Sequence, residues 1–358
     1  MTTPRRSVLA RSAALATAAL TLGAGLSACS SEAPTSTASA TSRMTSRATS
    51  TTKPTAAATS KPTPSATGAE TAEKAAQEVA RLIGAQAAAV AKPGTNGKVE
   101  REYAFVGSAL AAATAQGKLA SILTAEQKAD LALSPKDPVV LAVSRSAAYP
   151  RVILAKATLA GSGAPVLLTL TTPEEGTSYR IASIARMLPS ATIGKFDAVS
   201  AGSAPVGDGA GLASAPDALL TAYANALAYP APAAAELPFT EDAFYASVRK
   251  AAADQATALG NGVTLKQTHA PAGVVAALRA APGQGAYVVA VMERKDTLSE
   301  KTPNALTPSK AFKILSGKSI IDKSAVLKTY EFVVFYVPVS GKATLVAADE
   351  QLYAASGA

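Results

Sequence analysis

The chain has 358 residues, 48% of them hydrophobic, with one cysteine, one histidine, no tryptophan and a formal charge of +9. A lone thiol excludes an intramolecular disulfide, and with a lone histidine it excludes the His/Cys zinc clusters. The charge does not indicate nucleic acid either: six of the nine positive charges lie in the first 68 residues, which leaves 27 basic against 24 acidic residues behind them and no aromatic stacking platform among them.

Taken in chain order, Arg5, Arg6 and Arg11 precede an apolar run over 13–26, which ends on the small residues Ser27 and Ala28. These are the three parts of an export signal, spanning residues 1–28. Leu26-Ser27-Ala28-Cys29 resembles the lipobox of bacterial lipoproteins. That resemblance implies a diacylglyceryl group on the Cys29 thiol, removal of the signal, and a lipid anchor on the extracytoplasmic face of a cell membrane; two or more acyl chains anchor stably where one does so marginally. Pro4-Arg5-Arg6-Ser7-Val8-Leu9-Ala10 looks like a twin-arginine export motif but departs from it at Val8 and Ala10, so the general secretory and twin-arginine routes both stay open. After Cys29 no run of 18 apolar residues follows to span a bilayer.

Residues 29–69 form the next unit. From Ser30 to Gly68, 32 of 39 residues are Ser, Thr, Ala or Pro, a composition that buries too little apolar surface to offset the entropy of ordering. A flexible tether of that length has an r.m.s. span of roughly 35 Å, and its hydroxyls are open to O-linked sugar.

Order is expected from Thr67-Gly68-Ala69-Glu70, which has capping-box spacing. Apolar residues from Ala72 to Val90 recur at helical intervals, a second helix is expected over 99–116, and a third starts at Thr124. The period then changes to that of strands over 139–144, 152–159, 166–172 and 179–187. Residues 196–213, within a Gly/Ser/Ala/Pro-rich stretch that includes Gly207-Asp208-Gly209-Ala210-Gly211, read as a flexible linker. That glycine run has neither the preceding strand nor the lysine of a phosphate loop. Behind it the order repeats: helices from Pro216 and Thr240, then strands over 263–268, 286–294, 329–339 and 343–353, the last two joined at Ser340-Gly341-Lys342. Tyr330-Glu331-Phe332-Val333-Val334-Phe335-Tyr336-Val337 is apolar on both alternating faces, the mark of a strand covered on two sides.

Helices followed by antiparallel strands, twice over, predict an α+β fold of two bodies, 70–195 and 214–358. This order resembles the NTF2-like and cystatin-like folds, in which a curved antiparallel sheet wraps helices around an apolar pocket. With the lipobox, the tether, Arg186-Met187-Leu188-Pro189, the segment from Asp217 to Tyr223 and the hairpin around Gly341, the chain also resembles a family of uncharacterised envelope lipoproteins of actinobacteria. That family brings no catalytic residues with it.

Chemistry is sparse. His269 lies at a predicted strand end beside Pro271, with no Gly-x-Ser-x-Gly elbow to make it part of a triad, and reads as a polar residue at a strand edge. Glu293 and Glu331 sit among apolar strand residues, where a carboxylate facing a pocket has its pKa raised toward the acid/base range; they are the speculative pocket residues, against the simpler reading of solvated strand-end glutamates. Lys310, Lys313, Lys318, Lys323 and Lys328, with only Asp322 among them, mark either a surface for anionic lipid or wall polymer or a solvated loop face. No cofactor or metal is expected. The leading expectation is a non-enzymatic binding or scaffolding protein anchored through Cys29, with a cell-wall polymer or envelope protein as partner; the alternative is a small-pocket enzyme of the NTF2-like type.

Overall fold

The computed structural model describes residues 67–145, 149–303 and 306–358. Arg5, Arg6, Leu26, Ser27, Ala28 and Cys29, with nearly all of the tether, lie outside the described residues.

The amphipathic repeat after Thr67 becomes helix α1 (Ala72–Ala91), which buries Ala75, Val79, Leu82 and Ile83. Its cap is Thr71, whose side chain accepts from the Lys74 amide, so the helix begins later than the Thr67-Gly68-Ala69-Glu70 spacing predicts. The helix expected over 99–116 is two, α2 (Lys98–Ala104) and α3 (Gly107–Leu119). The break has a cause: Phe105 pairs with Ile181 as an isolated bridge, and the Val106 amide donates to the Ile181 carbonyl at 3.0 Å, so a strand takes the hydrogen bond that would have continued the helix. The short helix α4 (Ala125–Ala129) carries the full capping box of Thr124 and Gln127.

Four antiparallel strands follow, β1 (Val139–Val143), β2 (Arg151–Thr158), β3 (Pro165–Thr172) and β4 (Arg180–Met187). The second half opens with α5 (Pro216–Ala226) and α6 (Ala243–Leu259). It then supplies the long strands β5 (Val263–Arg279) and β6 (Ala286–Glu300), helix α7 (Lys310–Ser316), β7 (Ser324–Val337) and β8 (Thr344–Gly357). Helix α7 was not legible as a helix among the lysines; Ser309 caps it by accepting from the Phe312 amide.

The α+β class holds, but where two separate sheets are expected the strands make one. Its order is β1-β2-β3-β4-β8-β7-β6-β5, antiparallel throughout. The halves join where Arg186 and Met187 pair with Ala348 and Ala347, continued by the Leu188 amide on the Val346 carbonyl at 2.9 Å. Beyond that point helix α3 packs along β8, and Arg186 reaches Asp349 at 3.2 Å.

The stretch expected to be a flexible linker closes this sheet. Ser203 donates to the Val143 carbonyl (2.7 Å) and accepts from Arg145 (3.1 Å); Ala204 accepts from Arg279 (2.8 Å), and Val206 donates to Ala277 (2.9 Å). One short segment thus pairs with both edge strands, and burial of Ser203 and Val206 follows. The chain entering the body is pinned at the same place: Gly68 bridges Arg145, and its amide donates to Ser200 at 2.9 Å. A Cβ on Gly68 would lie 2.1 Å from the Val199 carbonyl oxygen, so only glycine fits there.

The apolar interior divides by sheet face. One large cluster joins α1–α3 and β1–β4 to Val289, Val291, Phe332, Val334 and Val346. On the other face of the long strands α5 and α6 cover Val288, Ala290, Met292, Val333 and Phe335, with Tyr223 at the centre, 4.9 Å from the Phe335 ring. Because Ser203 and Val206 are hydrogen-bonded as part of the sheet, their amides should exchange with solvent as slowly as the interior of β6, while the exposed Gly207 amide exchanges fast. Fast exchange at all three positions, read by native-state hydrogen exchange, would contradict the closure.

Candidate functional site

Alternation along β6 puts Val288, Ala290, Met292, Arg294, Asp296 and Leu298 on one face. The register then brings His269 opposite Arg294 and Gln267 opposite Asp296 on β5, Glu331 opposite Met292 on β7, and Glu350 opposite Glu331 on β8. The result is a band of charge between two apolar clusters, the one under α5 and α6 and a smaller one of Val263, Leu265, Leu298, Phe312 and Ile321.

His269 Nδ1 stands 2.8 Å from Glu331 Oε2, and both side chains are fully buried. Gln267 Nε2 donates to Asp296 Oδ1 at 2.8 Å, which turns Gln267 Oε1 toward His269 Nε2, 3.1 Å away. Both ring nitrogens therefore face side-chain oxygens, Glu331 Oε2 and Gln267 Oε1. Arg294 brings a guanidinium to the same band. It contacts Glu350, lies 3.2 Å from Asp296 and 3.9 Å from Glu331 Oε1, the latter oxygen having no hydrogen bond within the protein. Burial alone would lower the Arg294 pKa, but Glu350, Asp296 and Glu331 reverse this and hold the guanidinium charged. Burial pushes the Glu350 carboxyl up against the pull of Arg294, with Glu331 and Asp296 adding to the rise. Burial likewise raises Asp349, opposed by Arg186.

His269, read as a strand-edge polar residue, is thus a core histidine, because β5 continues past it to Arg279. Glu293 and Glu331 are not brought together. Glu293 pairs with Tyr330 and so takes the opposite face, where it accepts from Lys328 at 3.1 Å and from Tyr353, whose ring stacks on Tyr330 at 4.0 Å. Burial would raise the Glu293 carboxyl, but the Tyr353 and Lys328 hydrogen bonds outweigh it and hold it below the ordinary range. Lys328 is spent on that contact, while Lys310, Lys313, Lys318 and Lys323 are exposed around α7.

Two shallow grooves of about 200 Å³ each open on the surface. One lies at the sheet closure, lined by Arg145, Asp197, Arg279 and the turn after β5. The other is lined by Val106, Gly107, Ala182 and the middle of β5. Neither is lined by Glu293, Glu331 or His269. Among the described residues no cluster of three or more His, Cys, Asp or Glu is arranged to hold a metal, and no helix is long and apolar enough to cross a membrane. Comparison with protein-family models, curated proteins and solved structures finds no match.

Sequence reasoning missed Arg294, Asp296, Gln267 and Glu350. The signal was available in the period-two continuation of the apolar face from Val288 through Met292 into Arg294 and Asp296, had β6 been extended past Arg294. Two outcomes follow from the cluster. Glu331→Ala should lower stability by about 3–5 kcal/mol, because it strands a buried partner charge, and the double variant with His269→Ala should lose less than the sum of the single losses; additive losses in urea unfolding would contradict the pairing. The second concerns pH. A folded-state pKa above the unfolded one means that the folded protein binds the proton more tightly, so the contribution of Glu350 is greatest on the acid side and is lost as pH rises through its raised value. Glu350→Gln mimics the protonated acid, so its stability relative to wild type should increase from about pH 4 upward, the ordinary carboxylate range. A relative stability that decreases over that range would reverse the assigned direction.

Proposed function

We propose that this chain is a lipid-anchored binding or scaffolding protein of a bacterial cell envelope, held by acyl chains on Cys29 at the extracytoplasmic face of the membrane. The observation that carries this reading is Leu26-Ser27-Ala28-Cys29 between an arginine-led apolar segment and a Ser/Thr/Ala/Pro tract. A binding role is supported over an enzymatic one by the fate of the two candidate carboxylates: Glu331 is sealed against His269 and Arg294, and Glu293 is engaged by Lys328 and Tyr353. Each half, with helices ahead of its four antiparallel strands, we read as an NTF2-like or cystatin-like unit, the two fused through β4 and β8, and the sequence resembles that of actinobacterial envelope lipoproteins. A wall polymer or another envelope protein is the proposed partner.

Cys29→Ala should move the protein from the membrane fraction to the medium or to an unprocessed precursor in a lipoprotein-processing bacterial host, and the wild-type protein should carry the mass of a lipid adduct. Identical fractionation of the two, with no adduct on the wild type, would overturn the reading.

A further inference from the structure

The groove at the sheet closure gathers more positive than negative charge. Arg145 lies just beyond β1 and Arg279 ends β5, the opposite edge of the sheet, and both line the same concavity of about 200 Å³ because the 203–206 segment draws the two edges together. Of the five N–H donors of Arg145, Nε reaches the Gly202 carbonyl at 3.3 Å, while Nη2 stands 3.8 Å from Asp197, beyond hydrogen-bond distance. The Arg145 side chain is 42% exposed. Arg279 uses Nη1 and Nη2 on the carbonyls of Gly211 and Ala210. Gly283, on the turn that forms the far wall, is exposed, and among the described residues its amide has no backbone acceptor. Among the described residues Asp197 is the one carboxylate lining the groove, against two guanidinium groups.

From this we infer that the groove binds a small oxyanion, a carboxylate or phosphate head group, clamped between Arg145 and Arg279. The planar Arg145 fork, hydrogen-bonded among the described residues only through Nε, matches the two-oxygen geometry of both anions. Arg279 adds a second positive charge held in place by the Gly211 and Ala210 carbonyls, and charge-assisted hydrogen bonds are the strong ones. The volume is below that of a site for a whole drug-sized ligand, so the group recognised is a terminal or repeating acid on a larger molecule. An occupant would also tie β1 to β5 across the seam, so binding stabilises the closed sheet. This deepens the binding reading above by naming a site and a ligand chemistry, and its failure would leave the anchoring at Cys29 untouched.

The test is thermal unfolding of the full chain in sodium phosphate, sodium acetate and sodium chloride, at one pH and matched ionic strength, since screening alone changes surface electrostatics. A ligand that binds only the folded state raises Tm progressively with concentration. The expected result is a rise in phosphate or in acetate over chloride, and the stronger of the two assigns the head-group chemistry, phosphate or carboxylate. Arg145→Gln should abolish the rise, while Lys301→Gln, at the far end of β6, should retain it. Should Arg145→Gln fail to fold, Arg279→Lys keeps the charge but loses the fork, and calorimetric titration with inorganic phosphate or acetate should then show about tenfold weaker binding. Equal Tm in all three salts, an unchanged response in Arg145→Gln, or unchanged affinity in Arg279→Lys would overturn the inference.

Discussion

An open sheet of eight strands leaves two edges with unpaired N–H and C=O groups, and such edges must be paired, covered or otherwise protected. Here the edges are β1 and β5, supplied by different halves of the chain, and the segment 203–206 satisfies part of both at once. That requirement fixes much else. It sets the two halves against each other on the side opposite the β4–β8 junction, converts a glycine-rich connector into sheet, and brings arginines from distant strands to one groove. It also explains two glycines at the seam: a Cβ on Gly68 would meet the Val199 carbonyl oxygen at 2.1 Å, and one on Gly202 would lie 2.8 Å from the Gly68 Cα.

The band of charge under α5 and α6 is a second constraint, of a different kind. Buried ionic groups stabilise weakly at best, because desolvation offsets their attraction, and replacement by apolar residues is often neutral or favourable. Their value lies in register. A slip of one residue would turn Arg294, Asp296 and Glu331 to the other face of the sheet, where Val289, Val291 and Phe332 now meet the large apolar cluster. The antiparallel alignment of β5 to β8 is thus enforced by polar groups that find partners in only one pairing.

Most element positions were legible because they rest on local physics. Thr124 with Gln127, the alternation in β2 and β3, and the doubly apolar Phe332 to Val337 each point to one conformation. What was hidden depends on neighbours distant in sequence. Phe105 breaks a good helical pattern only because Ile181 offers a strand to pair with. Residues 203–206 carry no strand signature, yet two edges recruit them. His269 looked terminal because Pro271 follows it, whereas β5 absorbs the proline with a register shift between Pro271 and Gly273 and runs on; an edge strand is where a proline is tolerated. Of the candidate site, Glu331 and His269 were visible as residues, but that they face each other, and that Glu293 does not join them, is a fact of pleat and register.

The attachment of the chain at Gly68 has a mechanical side. A pull on the chain at this point would load, among other contacts, the antiparallel bridge of Gly68 to Arg145 and the bonds of Gly68 to Ser200 and Ala69 to Ser144. The first ones to part would be those beside the seam, whereas the long ladders of β5 to β8, further along the load path, would bear little of the tension. The entrance at Gly68 thus lies beside Arg145, so that a load on the entering chain reaches the groove between Arg145 and Arg279 before it reaches the long ladders of the core.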